Sequence, residues 1–323
     1  MRAIIITRPG GPEVLELAEV ATPEPVADYV RIKVIATALN RADLLQRSGS
    51  YPAPFGSPQN IPGLEYAGVV DAVGPQVASL QPGQRVFGIT GGGAYAEYVV
   101  VHERMVAPMP DNIDFTFAAA VPEVFMTAHD ALRQAGFAAG DRVLVHAVGS
   151  GVGTAAVQLV HALGGISYGT ARSPEKLRGA RDLGLDVGLP TLGWRAEMAR
   201  HNTGVDIVLD VVGGAYLADN LDALAPRGRL VLIGMLSGAR AEIDLAVIQR
   251  KRLRVVGTLL RSRPLEEKIA VTQSFARQVL PLLARGTLRP VLDRVLPLTD
   301  AAEAHRYMER NQNFGKIVLE VGK

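Results

Sequence analysis

Hydrophobic positions in the first third of the chain come in short runs. They alternate with polar residues and stop at proline or glycine, as β-strands with one buried face do. The pattern predicts strands at Ala3–Thr7, Tyr29–Ala38, Tyr66–Val73, Arg85–Ile89 and Tyr95–Val101, with one helix at about Arg41–Ser48. Strands without long helices between them suit a partly open barrel or rolled sheet. From Val121 the character changes, and helical and strand patterns take turns. Helices are predicted at Thr127–Ala135, Val152–Leu163, Pro174–Leu183 and Ala215–Leu224, and strands at Arg142–His146, Ile166–Thr170, Asp206–Val211, Leu230–Gly234 and Arg254–Gly257. This alternation is that of a doubly wound parallel sheet. Beyond Arg261 the pattern gives a long helix Leu265–Ala284, a strand near Val291–Val295, a helix Asp300–Glu309 and a last strand Lys316–Val321. The tail is expected to rejoin the first domain, so residues 121–259 form an insertion between 1–120 and 260–323.

Composition adds mainly exclusions. A chain of 323 residues with 48% hydrophobic and 20% charged residues has the profile of a globular protein with about two domains. A net charge of +2 gives no global field for nucleic acid or an anionic membrane. The absence of cysteine removes disulfides, thiolate nucleophiles, thiolate-ligated zinc and iron–sulfur clusters. The start, MRAIIITRPGG, suits a strand better than a signal peptide, and the most apolar window, 143–165, is too interrupted by Gly and His to span a membrane. A cytoplasmic protein is expected.

The candidate chemistry starts at Val143–Leu159, an apolar strand running through a glycine turn into a helix. Such a turn presents bare backbone N–H groups and the positive end of a helix dipole, where a pyrophosphate can sit. Against the dinucleotide pattern G-x-G-x-x-G, the chain reads Val148-Gly149-Ser150-Gly151-Val152-Gly153, with the first and third pattern positions lost but strand and helix correctly placed. Gly149, Ser150, Gly151 and Val152 are therefore the expected cradle of a Rossmann-type site. An NAD site carries an acid about 20 residues farther on to hold the ribose. Here stand Arg172, Ser173 and Lys176, which suit a 2′-phosphate and point to NADP(H). A second contact zone is expected after Val231–Gly234, at Gly234 and Met235 on the carboxyl edge of the sheet.

Three blocks carry a resemblance: Asn40-Arg41-Ala42-Asp43-Leu44-Leu45-Gln46-Arg47 with Gly49 and Tyr51, Gly63-Leu64-Glu65-Tyr66-Ala67-Gly68, and Pro122-Glu123-Val124-Phe125-Met126-Thr127-Ala128. With the glycine turn, Leu259–Arg263 and Asn313-Phe314-Gly315-Lys316, they resemble the medium-chain dehydrogenase/reductase superfamily, specifically its zinc-free quinone oxidoreductase (zeta-crystallin-like) branch. The resemblance implies an α/β fold: a mostly β, GroES-like catalytic domain plus an inserted Rossmann domain, with nicotinamide and substrate in the cleft between them. It implies Asn40, Tyr51 and Thr127 beside the nicotinamide and substrate, Asn313 and Lys316 among the cofactor contacts, and scaffold roles for Asp43 and Glu65. Some relatives carry a tyrosine near Thr191 that covers the adenine-side phosphate, and this chain lacks it there. A homodimer is also implied, with Leu230–Leu236 as the candidate edge strand.

The positions matching the superfamily's catalytic zinc ligands hold Asn40, Leu64 and Glu123, and the six histidines show no close ligand spacing, so no metal site is expected. A ketone usually needs a metal to stabilise its alkoxide, whereas a quinone or enone spreads the incoming charge over its own π-system. The expected activity is thus NADPH-dependent quinone reduction. Reduction of an enone or enoyl-thioester C=C bond, and a non-catalytic NADPH- or RNA-binding role, are the alternatives. The basic run Arg250-Lys251-Arg252-Leu253-Arg254, with Arg261 and Arg263, lacks interleaved aromatics and reads as a solvated rim, so no nucleic-acid partner is expected.

Overall fold

The computed structural model describes residues 1–201 and 204–322, which divide into two compact units: residues 1–126 with 260–322, and 127–259 apart from the two undescribed positions. In the first unit a seven-stranded sheet is built around Tyr29–Ala38. Val30, Ile32 and Val34 of this strand are buried while the intervening Arg31 and Lys33 turn outward, the period of two that the sequence shows. One edge pairs antiparallel with Glu65–Val73, which continues to Arg85–Ile89 and Val106–Pro108. The other edge is shared: Tyr98–His102 pairs with Tyr29–Lys33, and Lys316–Glu320 with Ala36–Ala38. Leu292–Pro297 lies parallel to Lys316–Glu320 at the sheet's end. The closing strands therefore complete the sheet that the amino-terminal ones begin.

The second unit is a six-stranded, all-parallel sheet in the order Val187–Pro190, Ile166–Ala171, Arg142–Val145, Val205–Asp210, Leu224–Leu232, Arg254–Gly257. Numbered along the chain this is 3-2-1-4-5-6, the doubly wound order with its switch point beside the first strand. Its strands read as continuous apolar runs because helices cover both faces. Leu144, Val208 and Leu230 pack in one cluster with Trp194 and Met198.

Four sequence expectations need correction. The helix expected at Thr127 starts at Pro122, whose missing N–H suits a first helical turn. The long helix 265–284 is two, Leu265–Gln278 and Leu280–Ala284, divided where Pro281 cannot donate its helical bond. Strand Val187–Pro190 and the helices Trp194–Arg200 and Leu245–Lys251 were not anticipated. Finally, Leu230–Leu236 is not an edge: Leu224–Leu232 is bonded on both sides, and the free edge is Arg254–Gly257.

Candidate active site

The first unit holds a buried polar cluster around Glu65, which opens its strand and is fully enclosed. A buried carboxylate is tolerated only when its lone pairs are taken. Glu65 Oε1 accepts from Asn40 Nδ2 (2.8 Å) and from Lys316 Nζ (2.6 Å), and Oε2 accepts from the Glu123 backbone N–H (2.8 Å). Lys316 also donates to the Leu39 carbonyl and to Asn40 Oδ1 (2.8 Å). The ammonium has three hydrogens and all three are committed, so Lys316 has none left for a cofactor phosphate. Lys316 stands as a buried strut beneath Asn40. Asn313 lies three residues before it and donates to the Gly315 carbonyl (2.9 Å).

Asn40 stands at the N-cap of the helix Arg41–Arg47 in a capping box with Asp43, and its amide also meets Glu65, Lys316 and the Ala38 carbonyl. Asp43 does the capping from the other side, accepting from the Asn40 N–H (2.8 Å), the Gly63 N–H (3.0 Å) and the Tyr95 hydroxyl (3.4 Å). Burial pushes the Asp43 carboxyl up to about 6, against those N–H bonds and the charges of Lys316 and Arg261. Asp43 and Glu65 thus act as scaffold. Burial, and then the charge of Glu65, push the Glu123 carboxyl up to about 7.

Tyr51 sits half-buried in the proline-rich loop, and burial raises its phenol. Among the described residues no hydrogen bond is formed by its hydroxyl. What holds it is Arg261, which sequence reasoning placed on a solvated rim. The Arg261 guanidinium is buried, lies 5.0 Å from the centre of the Tyr51 ring, and donates to the Tyr51 carbonyl (3.2 Å), the Gly91 carbonyl (2.8 Å) and Gln46 Oε1. Its planar fork joins two loops to the helix Arg41–Arg47, and a cation over a ring contributes roughly 0.5–2 kcal/mol.

The second unit holds the glycine turn. Ser150 is the N-cap of the helix Gly151–Ala162, its Oγ accepting from the Gly153 N–H (3.0 Å). Among the described residues the N–H groups of Gly149, Gly151 and Val152 meet no acceptor. Gly153 is required by packing: a Cβ there would lie 2.3 Å from the Ala147 carbonyl oxygen and 2.7 Å from Val148 Cα. Next to the turn, the Lys176 stem crosses Gly149, where an added Cβ would stand 2.7 Å from Lys176 Cδ. Arg172 is exposed just past the strand Ile166–Ala171. Ser173 is taken up locally as the N-cap of Pro174–Arg181. Tyr216, which sequence reasoning passed over, hydrogen-bonds the Thr191 side chain within the field of Arg172. Gly234 and Met235 follow the strand Leu224–Leu232, the Gly234 N–H bonded to the Asp210 carbonyl. Thr127 lies half-buried in the second turn of the helix Pro122–Ala135.

A carboxyl-edge glycine turn on a doubly wound sheet, in a chain that also carries a rolled β unit, defines a dinucleotide-dependent dehydrogenase or reductase. Residues 26–111 match the alcohol dehydrogenase GroES-like domain and residues 191–319 the zinc-binding dehydrogenase family. A quinone oxidoreductase of Pseudomonas aeruginosa is 37% identical over 96% of both chains. Among solved structures, an NAD-dependent alcohol dehydrogenase is similar at 36% identity and TM-score 0.89, covering all of both chains. A mycobacterial protein complexed with NADPH is similar at 29% identity and TM-score 0.88, covering 99% of this chain and all of that one. The chain belongs to the quinone oxidoreductases of the medium-chain dehydrogenase/reductase superfamily. The donor set does not fit the zinc of the second family's description, since Asn40 is bonded to Glu65 and Lys316, and Leu64 is an enclosed aliphatic. Among the described residues no group of three or more His, Asp or Glu is placed to hold a metal, and no helix is long and apolar enough to cross a membrane.

Proposed function

We propose that this chain is an NADPH-dependent quinone reductase. The observation that carries the reading is the replacement of a metal-ligand set by a closed Asn40–Glu65–Lys316 network in a unit that also presents one uncommitted phenol, Tyr51. Such a unit offers a hydrogen bond and no strong Lewis acid, which suits an acceptor that delocalises its own charge. The N–H groups of Gly149, Gly151 and Val152 bind the cofactor pyrophosphate, and Lys176, Arg172 and Tyr216 hold the 2′-phosphate end. NADPH, when bound, supplies the hydride. Tyr51 donates to one acceptor oxygen, and Asn40, Glu65 and Lys316 keep the surrounding wall rigid. Thr127 and Met235 line the nicotinamide end, and the proton comes from solvent.

Oxidation of NADPH and of NADH, measured side by side with an ortho-quinone, a para-quinone and a simple enone, tests this. Quinone turnover with NADPH is expected, with Lys176→Ala raising the KM for NADPH about tenfold and leaving that for NADH in place. Tyr51→Phe is expected to lower kcat about tenfold by removing one donor. Inert quinones beside a rapidly reduced enone would replace the reading with C=C reduction.

The chain pairs with a second copy along Arg254–Gly257. That strand's outer side bonds to nothing among the described residues, and Val255 is 43% exposed. Sedimentation equilibrium is expected to report twice 34.3 kDa, and Val255→Pro to return a monomer. A monomeric wild type removes this assignment.

A further inference from the structure

The geometry points to a second anion site, for a small ligand bearing at least two phosphate groups, at the amino end of the parallel sheet. A recess of about 460 Å³ is lined there by Ala135, Gly136, Arg227, Arg229, Arg252 and Arg254. Its size lies within the roughly 300–1,000 Å³ of small-molecule sites, with more room than a lone phosphate needs. Arg229 and Arg254 are register partners on adjacent strands. All six strands run parallel, so this end lies opposite the carboxyl edge where the glycine turn stands.

The four arginines are not equivalent. Arg229 is the floor: it donates to the Ala135 carbonyl (2.9 Å), the Gly136 carbonyl (3.1 Å) and Asp141 (2.7 Å). It thereby covers the carbonyl end of the helix Pro122–Ala135, whose negative dipole end would otherwise repel an anion. The neighbouring acids are spent, Asp141 on Arg229 and Asp206 on Arg142. In the single chain Arg227, Arg252 and Arg254 are exposed, Arg254 at the start of the strand assigned above to the second copy, and among the described residues no acceptor meets their guanidinium groups. Three unmatched guanidinium forks around one recess are the donor set for planar or tetrahedral oxyanions.

The backbone adds an independent observation. Arg227 (φ 66°) and Arg252 (φ 53°) both sit in the left-handed region that favours glycine or asparagine. At two turns of one recess the chain keeps an arginine where glycine would relieve strain.

The strain supplies clean variants, because Arg227→Gly and Arg252→Gly remove charge while easing the backbone. Inorganic pyrophosphate is titrated calorimetrically into the full chain at constant ionic strength, with and without saturating NADPH to fill the glycine turn. One pyrophosphate per chain is expected to bind even with NADPH present. Each variant is expected to weaken it about tenfold while NADPH affinity and thermal midpoint hold. Loss of pyrophosphate binding when NADPH is added, or binding unmoved by both variants, would overturn the site. A single-stranded RNA oligonucleotide bound through the same arginines a hundredfold more tightly than pyrophosphate would overturn the small-ligand assignment.

Discussion

Glu65→Leu is expected to destabilise the first unit by about 3–5 kcal/mol, the cost of stranding a buried charge. The leucine removes a carboxylate that takes hydrogen bonds from Lys316, Asn40 and the Glu123 backbone. It leaves the Lys316 ammonium, 3% exposed, beside Asn40 and one carbonyl. Against a typical total of about 5–15 kcal/mol this is a large fraction. The double change Glu65→Leu with Lys316→Met should recover most of the loss, since an apolar pair of similar volume avoids both desolvation and mismatch. Urea unfolding followed by far-ultraviolet circular dichroism measures both. Trp194, the only tryptophan, lies in the core of the other unit and would miss the change. A loss below about 1 kcal/mol in the single variant would mean that the pair is solvated or dispensable. In the stable double variant Asn40 has lost both side-chain partners. A fall in kcat there, with the fold intact, separates positioning of the wall from its stability.

The sequence makes local features legible and leaves distant partnerships hidden. Tyr29–Ala38 is bounded as its alternation predicts, because one face of its first half is buried, and Arg85–Ile89 as its flanking residues predict, with Val86–Ile89 all buried. The glycine turn is readable because strand, turn and helix are contiguous. Val187–Pro190 escapes notice as a four-residue strand containing both Gly188 and Pro190, which weaken any β signal. Leu245–Lys251 escapes because its apolar residues fall in one unbroken run, Leu245–Ile248, with no helical period, although Val247 and Ile248 pack partly buried against the core. Nothing local distinguishes Arg261 from Arg250 or Arg252. Its partners Gln46, Tyr51 and Gly91 stand 170 to 215 residues away, and the fold alone takes it off the solvated rim. The same holds for Lys316, which meets Glu65 across 251 residues of chain. Asn40 marks the boundary between the two cases: its position as an N-cap is local and readable, while the direction of its amide is set by those remote charges.

Gly153→Ala is expected to lower dinucleotide affinity about ten- to a hundredfold, and Gly149→Ala only a few-fold, although both lie in one turn. The difference is what the new methyl group meets. At Gly153 it meets backbone, with the Ala147 oxygen at 2.3 Å and Val148 Cα at 2.7 Å. Backbone at the base of a turn cannot step aside, so the amino end of the helix Gly151–Ala162 must lift away from the strand. Overpacking of this kind costs about 1–3 kcal/mol, and it falls on the free N–H groups of Gly151 and Val152 that the proposed function assigns to the pyrophosphate. At Gly149 the methyl group meets the Lys176 stem, a flexible chain that can swing. That displacement moves a charge at the 2′-phosphate end while leaving the N–H groups in place. Fluorescence titration with NADPH and NADH reads the two effects apart. Gly153→Ala should weaken both cofactors alike, because both carry the pyrophosphate. Gly149→Ala should weaken NADPH more than NADH, because only NADPH carries the 2′-phosphate that the proposed function assigns to Lys176. Equal losses in the two variants would place the pyrophosphate elsewhere than over this turn. A Gly149→Ala effect equal for both cofactors would separate Lys176 from the 2′-phosphate.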